Sequence, residues 1–266
     1  MNKHIKNYLR SFKFKKEHWY TLIVDGLFLG ILTGTLFLFN SLIVQKAYLI
    51  SNGKTADEIK QMLLSMDPVK AQAFLDTLKS FVFTFAIGLI ILVVGGWFLF
   101  SLSRKLIWNH LTKHRTKYWR WNVLNLVLIV PLLIYLILFG LTKIIFNSLI
   151  AIINNQFWVS FFNSAFNLFF LMGFISFTFL IYYNFSKKYE AWDSIGKSFH
   201  LIRKKWSRIW PLFLLSLGSA VILSALLWPV TKLFTIQSTG AVAFSGVVSL
   251  FYLAWFRLYL FRTIKE

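Results

Sequence analysis

The chain has 266 residues, of which 58% are hydrophobic, 19% aromatic and only 14% charged, yet its formal net charge is +20. A soluble domain has about 25% charged residues and a disordered basic tail has few aromatic residues, so the composition excludes both classes of protein. The absence of cysteine excludes disulfides, thiolate metal sites and a cysteine nucleophile. The composition therefore predicts an integral membrane protein.

Six apolar windows occur along the chain, each long enough for a helix to cross a hydrocarbon core of about 30 Å. The windows cover residues 22–44, 81–102, 121–141, 157–183, 209–230 and 241–260. The charged residues within these six windows are Asp25 and Arg257. Continuous apolar runs exclude an outer-membrane barrel, whose strands alternate apolar and polar residues. We predict an all-α, polytopic bundle of six transmembrane helices with interfacial amphipathic helices, forming a single membrane domain over residues 1–266.

Positive charges are divided unequally between the two sides of the predicted bundle. The N-terminal tail and the segments before the third and fifth spans carry six, six and seven Lys and Arg residues, whereas the other loops carry five, one and one. Because Lys and Arg collect on the cytoplasmic side, we predict cytoplasmic termini and a multi-pass protein of the cytoplasmic (plasma) membrane. The first apolar run is too long for a signal-peptide core, so we expect it to be retained as a start-transfer helix.

The segments that precede the first, third and fifth spans combine basic residues, apolar residues at helical spacing and Trp. Before the first span, Tyr8, Phe12 and Trp19 fall near one face, and before the third span the pattern runs from Arg104 to Trp121. Such segments are typical of interfacial helices, whose rings lie at the membrane boundary. They also suggest a repeat of one basic helix and one two-span hairpin, present three times.

The segment before the fifth span has the clearest pattern of this kind. Its apolar residues Ile195, Phe199, Ile202 and Trp206 have helical spacing, and the cations predicted to reach lipid headgroups are Lys197, Lys204 and Arg208. Anionic lipid is the expected partner of the basic surface, rather than nucleic acid, because the charges flank spans. The alternative is that these charges are only the positive flanks of an inner-membrane protein.

The loop between the first two spans is predicted to fold as an external helical hairpin over residues 45–80. Thr55 and Glu58 form a capping box, and Asp67-Pro68 marks the start of the next helix. Further along, Pro131 is expected to kink the third span. Residues 144–153 predict an interfacial helix or an extension of the third span. A re-entrant loop is the less favoured alternative.

Asp25 is the acidic residue within the predicted spans, and Arg257 lies at a comparable depth in the sixth span. A mid-membrane Asp costs about 2.5–3.5 kcal/mol on the insertion scale, which the apolar residues of the same span outweigh. The favoured interpretation is an intramembrane charge pair of Asp25 with Arg257. A proton or cation transport site, or a shallow Asp that reaches headgroup water, are the alternatives.

Small residues at four-residue spacing predict close helix packing on two spans. They are Gly26, Gly30 and Gly34 on the first and Ser216, Ala220 and Ser224 on the fifth. Such grooves let helices approach closely, which makes these two spans candidates for mutual contact.

Other polar residues in the spans are interpreted as packing groups. Two pairs of amides are expected to form interhelical hydrogen bonds, namely Asn163 with Asn167 and Asn122 with Asn125. A polar permeation path is the less favoured interpretation. His110 and His114 have the spacing of a helical metal pair, but no third ligand lies near them in sequence. No nucleophile elbow, phosphate-binding glycine loop or paired intramembrane carboxylates occur, so we expect no enzyme, no cofactor and no metal.

The segment AWDSIGKSF at 191–199, followed by Trp206 and by IWPL at 209–212, resembles a pattern in poorly characterised six-span prokaryotic integral membrane proteins. These include the membrane-embedded module found beside some glycerophosphodiester phosphodiesterases. The resemblance covers about the last third of the chain and implies an all-helical six-span fold without catalytic residues. No soluble phosphodiesterase domain follows here, so the resemblance does not imply that activity.

The sequence therefore predicts a non-enzymatic membrane protein that organises lipid or partner proteins. The alternative is a transport protein. It would be either a secondary carrier that uses Asp25 or the membrane subunit of an ATP-driven exporter, with an ATPase as partner.

Overall fold

The computed structural model describes residues 8–13, 15–51, 53, 55–64, 67–188, 190–233 and 239–265. This part of the chain forms nine helices and no strand. They are α1 (Lys16–Ser51), α2 (Ala56–Leu64), α3 (Pro68–Thr112), α4 (Tyr118–Val127), α5 (Ile129–Ile150), α6 (Gln156–Lys188), α7 (Ala191–Lys204), α8 (Trp206–Leu233) and α9 (Thr239–Lys265).

Six helical stretches are long and apolar enough to cross a membrane, as predicted. They are Lys16–Ser51, Pro68–Thr112, Tyr118–Ile150, Gln156–Lys188, Trp206–Leu227 and Ala243–Lys265. The predicted all-α, six-span fold of an integral membrane protein is therefore confirmed. The helices exceed the predicted windows, since the 45 residues of α3 correspond to about 67 Å of helix, twice a hydrocarbon core.

Local sequence signals account for the helix boundaries. The third span consists of α4 and α5, which are separated at Leu128, because Pro131 has no N–H to donate to the carbonyl of Val127. The capping box before α2 is formed, with the Thr55 N–H donating to Glu58 Oε2 at 2.7 Å. Helix α5 continues to Ile150, so the apolar residues after the third span extend that span.

Sequence analysis expects a single membrane domain, and the structure has two compact units. Unit 1 comprises Met1–Asp25 with Ser101–Glu266, and unit 2 comprises Gly26–Phe100. Much of the buried core of unit 1 lies close to the basic segments that precede the third and fifth spans. Trp108, Trp121 and Phe256 are fully buried there. We call this part of unit 1, formed by residues 8–25, 101–124, 179–213 and 254–265, the basic end.

Unit 2 is an antiparallel helical hairpin of α1 and α3, with α2 between them in the chain. The rings of Phe28 and Phe100 lie 5.8 Å apart, and Lys46 Nζ donates to Thr84 Oγ1 at 3.0 Å. The ring of Phe39 lies against Gly88, where a Cβ atom would clash with it. The predicted external hairpin over residues 45–80 corresponds to the end of α1, α2 and the start of α3.

Parts of two of the three predicted interfacial segments pack into the core of unit 1. Trp108 is buried because α3 continues to Thr112 and carries it into the bundle, and Trp121 is buried on α4. In the first segment, Phe12 stacks on Trp255 at 5.0 Å and Tyr8 bonds Ser219 Oγ through its hydroxyl at 2.7 Å. The expectation that these rings lie in lipid headgroups is therefore wrong for Trp108 and Trp121, which are fully buried in protein, and stays a prediction for Tyr8, which is partly buried.

Candidate functional site

Three charged side chains from three spans meet inside the basic end. Asp25 comes from α1, Arg104 from α3 and Arg257 from α9, and their exposed fractions are 4%, 8% and 1%. Arg257 Nη1 lies 2.9 Å from Asp25 Oδ2, and Arg104 Nη2 pairs with Asp25 Oδ1. One carboxylate therefore serves two guanidinium groups, and the buried charge cluster has a formal charge of +1.

Sequence analysis paired Asp25 with Arg257 but did not include Arg104. Because the second apolar window ends at residue 102, Arg104 falls in the basic segment that is predicted to lie outside the membrane. In the structure α3 continues for ten residues beyond that window, to Thr112. The absence of Gly or Pro between residues 97 and 117 was the available sign that the helix continues.

A layer of neutral polar groups joins further spans within the same core. The Tyr182 hydroxyl donates to Asn125 Oδ1 at 3.0 Å, and Asn125 Nδ2 donates to Ser101 Oγ at 2.8 Å. The guanidinium of Arg257 lies 5.0 Å from the ring centre of Phe179. Buried polar groups that are hydrogen-bonded in this way fix how helices associate in a low dielectric.

The charges of the buried cluster are paired with one another. Both oxygens of Asp25 lie beside guanidinium groups, one from Arg104 and one from Arg257. Among the described residues, no group of three or more His, Asp or Glu side chains could hold a metal ion. His110, one of the two spaced histidines, stacks on Tyr20 with the ring centres 4.0 Å apart.

The second candidate site is the outer face of α7. Ser194 and Ser198 turn to the bundle, where Ser198 Oγ accepts a hydrogen bond from Asn184 Nδ2 at 2.9 Å. On another face, Trp192 and Phe199 are 63% and 60% exposed. These two residues are seven apart, so they share one face of the helix. We call Trp192, Phe199, Arg203 and Lys204 the aromatic-basic face.

The three cations predicted to reach lipid headgroups have different surroundings. Lys204 is exposed, Arg208 is half-buried and Lys197 pairs with Asp193 one turn earlier. Nearby, Lys205 Nζ donates to the carbonyl of Ile264, so the end of α7 is tied to the last turn of α9. Burial lowers the pKa of Lys205, and the neighbouring Arg208, Lys187 and Lys204 lower it further.

The two predicted small-residue grooves differ in their contacts. On α8, Ser216 and Ala220 are buried, and the Tyr252 hydroxyl of α9 donates to the carbonyl of Ser216 at 2.8 Å. Ser224 lines a cavity of about 410 Å³ that Tyr252 also lines. The partner of this groove is therefore α9.

On α1, a Cβ atom built at Gly26, Gly30 or Gly34 meets no heavy atom within 4 Å among the described residues. The packing role of these glycines stays a prediction.

The asparagines of the fourth span also have a partner. Lys143 Nζ, from the third span, donates to Asn163 Oδ1 at 2.8 Å and to Asn167 Oδ1 at 2.9 Å. The expected interhelical hydrogen bonding by these amides is present, although its donor is a lysine. By contrast, the buried side-chain amide of Asn122 has no hydrogen-bond partner among the described residues.

Comparisons with family models, with curated proteins and with solved structures found no match to this chain. The resemblance of residues 191–212 to six-span prokaryotic membrane proteins therefore stays a prediction. What the structure itself establishes is a helical integral membrane protein with six spans, a buried charge cluster and an exposed aromatic-basic face.

Proposed function

We propose that the protein is a non-enzymatic component of the cytoplasmic membrane whose basic end binds and organises anionic lipid on the cytoplasmic side. The observation that carries this proposal is the aromatic-basic face of α7. Two large rings are more than half exposed there, beside Arg203 and Lys204. Rings with neighbouring cations favour the headgroup region, where the ring lies at the boundary and the cation reaches lipid phosphate.

The packing of α7 supports this assignment. Because the serine face of the helix is fixed to Asn184, the aromatic-basic face is held outward and is not free to turn into the core. Each Lys or Arg near an anionic surface contributes about 1 kcal/mol to lipid attraction, and the attraction falls with salt. A partner protein that recognises the same face would need carboxylates in place of phosphates.

The direct test compares lipid retained by the purified full chain. Arg203→Gln with Lys204→Gln, the two exposed cations of the aromatic-basic face, should lower the amount of phosphatidylglycerol that co-purifies per protein, measured by mass spectrometry of bound lipids. The matched control is Lys60→Gln with Lys70→Gln, which removes two charges from the predicted external hairpin. Equal phosphatidylglycerol retention in both double variants would remove the support for this function.

The orientation is tested by single reporter cysteines in the cysteine-free chain. We expect Lys60→Cys to be labelled by an impermeant reagent from outside, and His114→Cys and His200→Cys only after the membrane is opened. All three positions are exposed, so each cysteine can be reached by the reagent. Labelling of His200→Cys in intact cells would reverse the proposed orientation.

The transport alternative finds less support. A carrier that uses Asp25 needs a carboxylate reachable by water, and Asp25 is buried beside two guanidinium groups. Proton-coupled flux in vesicles reconstituted with the unmodified chain would favour the carrier. An ATPase that co-purifies with the chain would favour the exporter subunit.

A further inference from the structure

A second basic feature lies apart from α7, where residues 10–13 and Lys15 approach the last turns of α9. A pocket of about 270 Å³ opens there, and its cations are Arg10, Lys13, Lys15 and Arg262. No Asp or Glu of the described part of the chain lines this pocket. Among the described residues, none of the four cations belongs to an ion pair. We call it the N-terminal basic pocket.

The floor of the pocket is built from buried hydroxyl-bearing residues. Ser11, Tyr259 and Thr263 line it and are 2%, 3% and 9% exposed. Trp255 Nε1 donates to Ser11 Oγ at 2.9 Å, and Ser11 Oγ donates to the Tyr8 carbonyl at 2.6 Å. These bonds join the N-terminal segment to α9, so the floor is preorganised.

The backbone on the other side of the pocket is also held. The Lys15 N–H donates to His18 Nδ1 at 3.0 Å, and His18 is buried in the first turn of α1. Within the described ranges, the nearest acid along the chain is Glu17, which does not line the pocket. Four like charges around one fixed cavity repel each other, and a bound anion would relieve that repulsion.

Charge, size and position together identify the ligand class. Guanidinium and ammonium groups are the side chains that recognise phosphate oxygens, and Arg does so in a bidentate way. The cavity is slightly smaller than the about 300–1,000 Å³ of drug-sized ligand pockets, which suits a phosphate with a small substituent. Lys15 precedes the first span and Arg262 lies in the last turn of the sixth, so the pocket lies where spans leave the hydrocarbon.

We propose that the N-terminal basic pocket binds a phosphate group, carried by either an anionic lipid headgroup or a small soluble phosphate compound. The proposal does not rest on the aromatic-basic face, because none of its residues lines the pocket. A phosphate bound here would connect the N-terminal segment to α9.

The test uses the full chain in detergent, with two probes measured by calorimetric titration. The first probe is inorganic phosphate, and the second is short-chain phosphatidate in mixed micelles, with phosphatidylcholine as the blank. Arg262→Gln should weaken binding about tenfold, because it removes a charge-assisted hydrogen bond. Lys13→Gln, which removes an exposed lysine, should weaken it about fivefold. The matched control Lys117→Gln, an exposed lysine outside the pocket, should change it less than twofold.

The two probes distinguish the source of the phosphate. Weakening for both probes assigns the pocket to the phosphate group itself, weakening for phosphatidate alone assigns it to lipid, and weakening for inorganic phosphate alone assigns it to a soluble compound. Arg203→Gln with Lys204→Gln should bind both probes normally, so failure of the α7 proposal would be seen separately. Should Arg262→Gln not fold, Arg262→Lys and Lys13→Gln carry the test. Equal affinity of the pocket variants and Lys117→Gln for both probes would overturn the proposal.

Discussion

Unit 1 encloses a group of large side chains in the core of its basic end, whereas no large side chain among the described residues of unit 2 is buried. Phe256 of unit 1 has no exposed surface, while Phe37 and Phe83 of unit 2 are 72% and 68% exposed. Both units have apolar helices of spanning length. The difference therefore lies in what solvates the side chains, since lipid surrounds a ring about as well as another helix does.

The comparison indicates where specific structure comes from in this chain. Burial of apolar surface gives little drive for helices to associate within lipid, so association depends on polar partners and close packing. Unit 1 has the cluster of Asp25, Arg104 and Arg257. The described residues of unit 2 include a lysine bound to hydroxyl groups, Lys46, and a ring that packs on a glycine, at Gly88. We therefore expect unit 1 to respond far more strongly to substitution.

The largest effect is expected at the charge cluster. Asp25→Asn removes the only carboxylate and leaves Arg104 and Arg257 buried as uncompensated charges, which should cost at least about 3–5 kcal/mol of unfolding free energy. Arg257→Gln leaves Asp25 with Arg104 as a neutral pair, so its cost should be smaller. Reversible unfolding in detergent would measure both. This order differs from a simple ion pair, in which the two single variants cost similar amounts.

A triple variant provides the control for that prediction. Asp25→Asn, Arg104→Gln and Arg257→Gln together leave no buried charge, so the triple variant should be more stable than Asp25→Asn alone. The coupling arises because the residues share one carboxylate. Strict additivity of the three single losses would show that the cluster does not act as a unit.

The next effect compares one buried and one exposed ring. Phe256→Ala should lower the unfolding free energy by up to about 3 kcal/mol, the low end of the range for soluble cores, because only packing and cavity terms are lost in a lipid-like solvent. Phe37→Ala should change it by less than about 0.5 kcal/mol, because its ring makes few protein contacts. Equal losses in detergent unfolding would mean that unit 2 has a core of its own.

Sequence reasoning succeeded where a signal repeats over many residues. Six apolar runs predicted the six spans, and the single acid within them led to Asp25. Prediction from sequence was less successful for side chains whose position depends on how the helices pack in three dimensions. Trp108 was assigned to the membrane boundary because its segment is basic, yet helix α3 carries it into the core. No local pattern distinguishes a Trp that faces headgroups from one that faces another helix.

The same limit applies to the small-residue grooves and to Arg104. Four-residue spacing selected Ser216, Ala220 and Ser224 on α8, but it could not show that Tyr252 of α9 would contact Ser216. Arg104 was missed because a hydropathy window ends where charges begin, whereas a helix ends only where its hydrogen bonds or caps end. Both cases required knowledge of which helices are neighbours.

A smaller effect is expected at the ring-glycine contact of unit 2. Gly88→Ala places a methyl group against Phe39, whose ring must move, so the hairpin should lose about 1 kcal/mol. The matched control is Gly95→Ala on the same helix, where a Cβ atom meets nothing within 4 Å. That control should be neutral or slightly stabilising, because Ala favours a helix more than Gly does. Combining Gly88→Ala with Phe39→Leu should recover the loss.

The smallest expected effect concerns Lys205 at the basic end, where cations crowd one another. Burial, then Arg208, Lys187 and Lys204, lower the pKa of this lysine. Between the lowered pKa and the ordinary value of about 10.4, the folded chain binds fewer protons than the unfolded chain, so the unfolding free energy should rise as pH rises through this window. The rise should shrink in high salt, which screens the neighbouring charges. Lys205→Arg keeps the charge at every pH tested and should lose this part of the slope. If thermal unfolding of the unmodified chain and of Lys205→Arg shows the same dependence on pH, Lys205 does not titrate in this window, and the crowding of cations has no measurable effect on it.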